Sequence, residues 1–81
     1  MEILLRKQPK KYLASVDANT RKKLYKALDE LSQLKGDIVR LGGYDHRYRY
    51  KRQHYRITFD WVKGTLVITV IEINTRTNIK Y

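Results

Sequence analysis

Between Arg47 and Phe59 the chain reads Arg-Tyr-Arg-Tyr-Lys-Arg-Gln-His-Tyr-Arg-Ile-Thr-Phe, with cations and apolar or aromatic residues alternating at the period of a β-strand. Successive strand side chains point to opposite sides, so Arg47, Arg49 and Lys51 share one face while Tyr48 and Tyr50 take the other. In the following segment Tyr55, Ile57, Phe59 and Trp61 form the set to be buried, which leaves His54, Arg56, Thr58 and Asp60 opposite. Closing the two strands around Arg52-Gln53 would set Arg49 across from Arg56, Lys51 from His54 and Arg47 from Thr58, and cross-strand partners lie on one face. Like charges side by side repel. Folding alone gives no reason to gather them, whereas a polyanionic ligand does.

The rest of the composition points the same way. Eighteen Lys and Arg against eight Asp and Glu give 81 residues a formal charge of +10, more than solubility requires. Nucleic acid is the partner such a surface fits first, through neutralised phosphates and released counterions; an acidic protein or a membrane surface would use the same charge. A chain this short is expected to form one small domain, residues 1–81, with a modest core. It has no cysteine, hence no disulfide and no thiolate metal site, and its two histidines lack the spacing of a zinc site. Chemistry without metal or cofactor is therefore expected. The apolar run near Met1 is too short for a signal peptide and no segment approaches a membrane span, so the expected compartment is the cytoplasm.

Along the chain, Glu2 to Arg6 reads as a strand, and Pro9 suits the first turn of a helix reaching Val16, with Tyr12, Leu13 and Val16 inward. Asp17 or Asn19 can cap a second helix whose Leu24, Ala27, Leu28, Leu31 and Leu34 fall on one stripe, with Gly36 as its stop. Arg21, Lys22, Lys23 and Lys26 then form a solvated face. Leu41-Gly42-Gly43 signals a turn or bulge before the basic and aromatic strands; Lys63-Gly64 is a second turn, and Leu66 to Ile73 reads as a central strand covered on both faces. The order strand, helix, helix, strand, strand, strand implies an α+β fold: a small antiparallel-rich sheet with a helical hairpin on one face. The cations then occupy the other face.

These residues resemble the RelE/ParE superfamily of toxins from type II toxin-antitoxin pairs. The resemblance spans nearly the whole chain. It is carried by the helical hairpin followed by Lys35-Gly36 and Leu41, by the hairpin from Tyr48-Arg49-Tyr50-Lys51 to Tyr55-Arg56-Ile57-Thr58-Phe59, and by Val70-Ile71-Glu72-Ile73-Asn74-Thr75-Arg76, which is similar to the family's last strand running into a functional arginine. RelE-like members are ribosome-dependent mRNA endonucleases in which a ribose 2′-hydroxyl attacks the adjacent phosphate without metal. The resemblance implies that Arg49, Lys51, Arg56 and Arg76 stabilise the phosphoryl group, arginine through its planar fork and lysine as a mobile point charge. Arg47, Arg52, His54 and Lys80 would contact RNA. The partners implied are the ribosome, mRNA and a cognate acidic antitoxin.

The reaction also needs a base and an acid. Many relatives carry tyrosine soon after the final arginine, in a pattern like Arg-x-x-Val-Tyr; here Lys80 holds that offset and Tyr81 follows. To ionise near neutrality Tyr81 would need ~4 kcal/mol of help from its surroundings, given an ordinary pKa near 10. Nearby arginines supply part of it. Lys80, Lys51 and His54 stand as other proton carriers, and the residues do not choose among them. Nor do they exclude two other functions on this charge pattern: a ParE-like toxin that inhibits gyrase by protein contact without catalysis, and a non-catalytic RNA- or ribosome-binding module. Each of the four cations also fits an ordinary solvated sheet face, and Tyr48, Tyr50 and Tyr55 suit core packing better than base stacking.

Overall fold

The computed structural model describes residues 1–75. Its elements are β1 (Glu2–Leu5), α1 (Lys7–Ser15), α2 (Ala18–Leu31), β2 (Asp37–Arg40), β3 (Arg47–Arg52), β4 (Tyr55–Asp60) and β5 (Val67–Thr75). The sheet order is β1-β5-β4-β3-β2, with β1 parallel to β5 and the other neighbours antiparallel. The α+β class and the helical hairpin on one face are as the sequence pattern implies. One strand was not anticipated: Asp37–Arg40, whose four residues lack clear alternation, pairs with β3 as an edge.

The core lies between helices and sheet. Leu13 of α1 and Leu24, Ala27, Leu28 and Leu31 of α2 meet Tyr50, Ile57, Phe59, Ile68, Val70 and Ile73, while Tyr48, Tyr55 and Trp61 pack around them. Tyr48 stacks on Phe59 with ring centroids 5.4 Å apart. Pro9 falls in the first turn of α1, where its missing N–H has no intrahelical partner to lose. Asp17 is the N-cap of α2, and the Thr20 side chain above all holds its carboxyl below the ordinary carboxylate range.

Three local expectations are corrected. First, α2 does not stop at Gly36. Leu34 takes the left-handed conformation (φ 54°), with Leu34 N–H bonded to the Leu31 carbonyl (2.8 Å) and Lys35 N–H to that of Glu30 (3.2 Å), a Schellman closure in which leucine holds the usual glycine place. Gly36 serves a different end: at φ 116°, an added Cβ would lie 2.6 Å from Tyr50 Cε1. Second, Arg21 is not part of a solvated face. Its Nε donates to the Leu13 carbonyl (2.8 Å) and a terminal nitrogen to that of Val16 (2.9 Å), so it caps the C-terminus of α1, where a cation is favoured. Third, β5 is covered on one face only. Ile68, Val70 and Ile73 are buried, but the strand bulges at Ile71, which has no partner between the pairs Phe59–Val70 and Thr58–Glu72. The extra residue changes parity and returns Ile73 to the helix side.

The end of β1 leaves a backbone problem that α1 solves. β1 accompanies β5 only as far as Val70, whose carbonyl accepts from Arg6 N–H, and the chain then turns into α1. Beyond that point the flank of β5 has no strand. The Gln8 side chain fills the place: its Nε2 donates to the Ile73 carbonyl (2.9 Å) and its Oε1 accepts from Ile73 N–H (2.8 Å). One side-chain amide thus substitutes for a strand residue and pins the last part of β5.

Candidate phosphate-binding face of the sheet

On the face away from the helices, β3, β4 and β5 place their polar residues in rows. Lys51 lies opposite Arg56, and Arg56 opposite Asn74; Arg49 lies opposite Thr58, and Thr58 opposite Glu72; Arg47 lies opposite Asp60. The hairpin register is therefore two residues from the expected one, and its turn is Gln53-His54. Both registers keep every residue on its face, so hydrophobic alternation does not distinguish them. Specific pairs do: the observed register joins Arg47 to Asp60 and stacks Tyr48 on Phe59.

Arg49, Lys51 and Arg56 are brought together on adjacent strands. Arg49 is half-buried, and its Nε is shielded from solvent with no hydrogen-bond partner among the described residues. A guanidinium N–H in that state is a donor waiting for an acceptor. Lys51 is exposed at the hairpin end of the cluster. Asn74 and Thr58, which sequence reasoning did not select, complete the patch with an amide and a hydroxyl. Thr58 shares the parity of Arg56 and was legible on that ground, whereas the bulge hid the parity of Asn74.

The other expected contacts are dispersed. Arg47 belongs to the face but is held by Asp60 (Nε to Oδ1, 2.9 Å) and lies 4.5 Å from the centroid of the Tyr44 ring; hydrogen bonding to Asp60 raises its pKa further. Arg52 projects to the helix side, where it pairs with Glu30 of α2. His54 is exposed in the turn. Arg76, Lys80 and Tyr81 lie outside the described residues. The face is also less uniformly basic than expected: besides Asp60, Asp37 stands opposite Lys51 in the β2–β3 pairing and Glu72 accepts from Asn74 Nδ2. Among the described residues no helix is long and apolar enough to cross a membrane.

No protein-family model matches the chain, and no curated protein matches it in sequence. Solved structures do resemble it. The RelB-RelE antitoxin-toxin complex from Methanococcus jannaschii aligns with a TM-score of 0.69 at 26% identity, over 91% of this chain and 91% of that one. The archaeal RelE-RelB complex from Pyrococcus horikoshii OT3 aligns at 0.73 and 21% identity, over 96% and 97%. The intact E. coli RelBE complex aligns at 0.70 and 19%, over 91% and 94%. The α+β fold is thus shared with toxins of antitoxin pairs. More narrowly, the chain has the RelE toxin fold.

Proposed function

We propose that this protein is the toxin of a toxin-antitoxin pair and cleaves mRNA on the ribosome by attack of a ribose 2′-oxygen on the adjacent phosphorus. The observation that carries this reading is the adjacency of Arg49, Lys51 and Arg56 on the open face, with the shielded Arg49 Nε lacking a partner among the described residues. In the reaction the 2′-oxygen forms a bond to phosphorus as the bond to the 5′-oxygen breaks; a base takes the 2′ proton and an acid supplies one to the leaving oxygen. The two arginines and Lys51 neutralise charge building on the phosphoryl oxygens, and Arg76 is proposed to join them. Tyr81 is the proposed proton carrier, with Lys80, Lys51 and His54 as the others. Arg47 and Arg52 would contact RNA outside the reacting centre. The likeness to RelB-RelE complexes supports an antitoxin partner, and an acidic one would cover the same face.

The test is primer extension on translated messages after induced expression. Loss of a phosphoryl-directed charge is expected to lower cleavage ~10²- to 10³-fold in Arg49→Ala and Arg56→Ala, with growth arrest lost in parallel. Undiminished cuts in both variants would reject the site. Inhibition of gyrase supercoiling by the purified protein, with messages uncut, would reject the nuclease altogether.

A further inference from the structure

Lys51 and Arg52 are consecutive in β3 and so project to opposite sides of the sheet. Lys51 joins the open face. Arg52 enters a small hollow on the helix side, about 130 Å³, lined by Lys23, Lys26 and Ala27 of α2 together with Arg52, Gln53 and Tyr55 of the hairpin. Three cations, a phenol and an amide surround a floor made by the small side chain of Ala27. Glu30, one turn beyond Lys26, pairs with Arg52 and fixes it in the wall, while Lys23 and Lys26 remain exposed. A shallower hollow of about 300 Å³, lined by Asn19, Lys22, Lys23 and Lys26, continues the basic surface along α2.

Lysines three apart on a helix share one side, and here they share it with an arginine contributed by another element. Glu30 accounts for the position of Arg52, while Lys23 and Lys26 add positive charge beside that pair. The hollow's volume, about 130 Å³, has room for a tetrahedral anion, and cations stand on both of its walls. We infer that it is a second phosphate site, which holds an RNA backbone phosphate on the helix-covered side of the sheet and takes no part in cleavage. A single strand passing around the exposed Gln53-His54 turn would meet Lys51 and Arg56 on one side and Arg52, Lys23 and Lys26 on the other. The inference rests on the proposed function in one respect, that the polyanion is RNA.

The probe is a short 2′-O-methyl oligoribonucleotide, which lacks the attacking hydroxyl and therefore reports binding alone. Affinity is measured across about 50 to 200 mM salt for the unaltered protein, for K23Q/K26Q and for R49Q/K51Q. Loss of one neutralised phosphate on a single strand should lower the slope of log K against log salt by about 0.7 in K23Q/K26Q. In the unaltered protein the backbone amide resonances of Ala27, Gln53 and Tyr55 should shift on titration. An unchanged slope in K23Q/K26Q, or silence of those three amides, overturns the inference. The open-face pair separates this result from the function proposed above: if R49Q/K51Q leaves the slope intact while K23Q/K26Q lowers it, the second site stands and the open-face reading fails. A poly-glutamate peptide that shifts the three amides where the oligonucleotide does not would assign the hollow to an acidic protein and overturn it for RNA.

Discussion

Replacing Gln8 by alanine tests whether one side-chain amide sustains the last part of β5. The wild-type amide makes two hydrogen bonds to the backbone of Ile73, at 2.9 and 2.8 Å, and Ile73 itself is fully buried. Each bond contributes about 1 kcal/mol net, and each backbone group left without a partner costs about 1–3 kcal/mol when water cannot reach it. Because both bonds are only part-buried, water recovers some of the loss, so Gln8→Ala is expected to cost about 2 kcal/mol. For a chain of this size that corresponds to a fall in Tm of roughly 10 °C, readable by far-UV circular dichroism and confirmed by urea unfolding. Gln8→Glu sharpens the test. Its carboxylate can accept from Ile73 N–H but has no donor for the carbonyl, so it should be as unstable as the alanine variant at neutral pH and recover part of the loss when acid protonates it. A cost within about 0.5 kcal/mol for Gln8→Ala, the usual range for a surface change, would refute the idea that the amide stands in for a strand.

Gly36→Ala should cost more than about 2 kcal/mol, since the new Cβ meets Tyr50 at 2.6 Å and the backbone sits at φ 116°; a thermal melt close to wild type would contradict this. Arg21→Ala removes the cap on α1 and is expected to lose about 1–2 kcal/mol, measured by urea unfolding, whereas Lys22→Ala, exposed in the same turn, should change little. Burial raises the phenol pKa of Tyr12 and Tyr50 above the ordinary 10.0, with the Tyr55 charge adding to the effect at Tyr12. The folded state then favours the protonated phenol: its stabilisation is complete below the unfolded value near 10 and is lost as pH rises through the higher folded values. Unfolding free energy should therefore fall above about pH 10, and less steeply in Tyr50→Phe; equal slopes would count against it. Asp60→Asn releases Arg47, with little change in stability by urea unfolding and tighter, more salt-sensitive RNA binding as the expected gain.

The α+β class, the one-sided hairpin and most of the core were legible because period two and the leucine stripe of α2 speak for themselves over six or more residues. Arg49, Lys51 and Arg56 were legible as a group for the same reason. What sequence pattern missed depends on single contacts rather than on periodicity. The edge strand Asp37–Arg40 forms because β3 offers it a partner. The Gln53-His54 turn follows from the Arg47–Asp60 and Tyr48–Phe59 pairs, since a shift of two residues leaves every face unchanged. The bulge at Ile71 is invisible in an unbroken apolar run. The side on which Arg52 lies was legible from its parity with Tyr48 and Tyr50, but its pairing with Glu30 of α2 was not.

The placement of the acids bears on what the open face is for. Asp60 engages Arg47 at the far end of the rows, Asp37 stands across from Lys51 on the edge strand, and Glu72 turns to Asn74. Arg49 lies between them, flanked by Val39 and Thr58, neither of which carries charge. Its shielded Nε has no acceptor among the described residues. On the function proposed above, a phosphate arriving between Arg49 and Arg56 would supply an acceptor and a negative charge in one step. The surrounding acids narrow the attraction to the middle of the sheet.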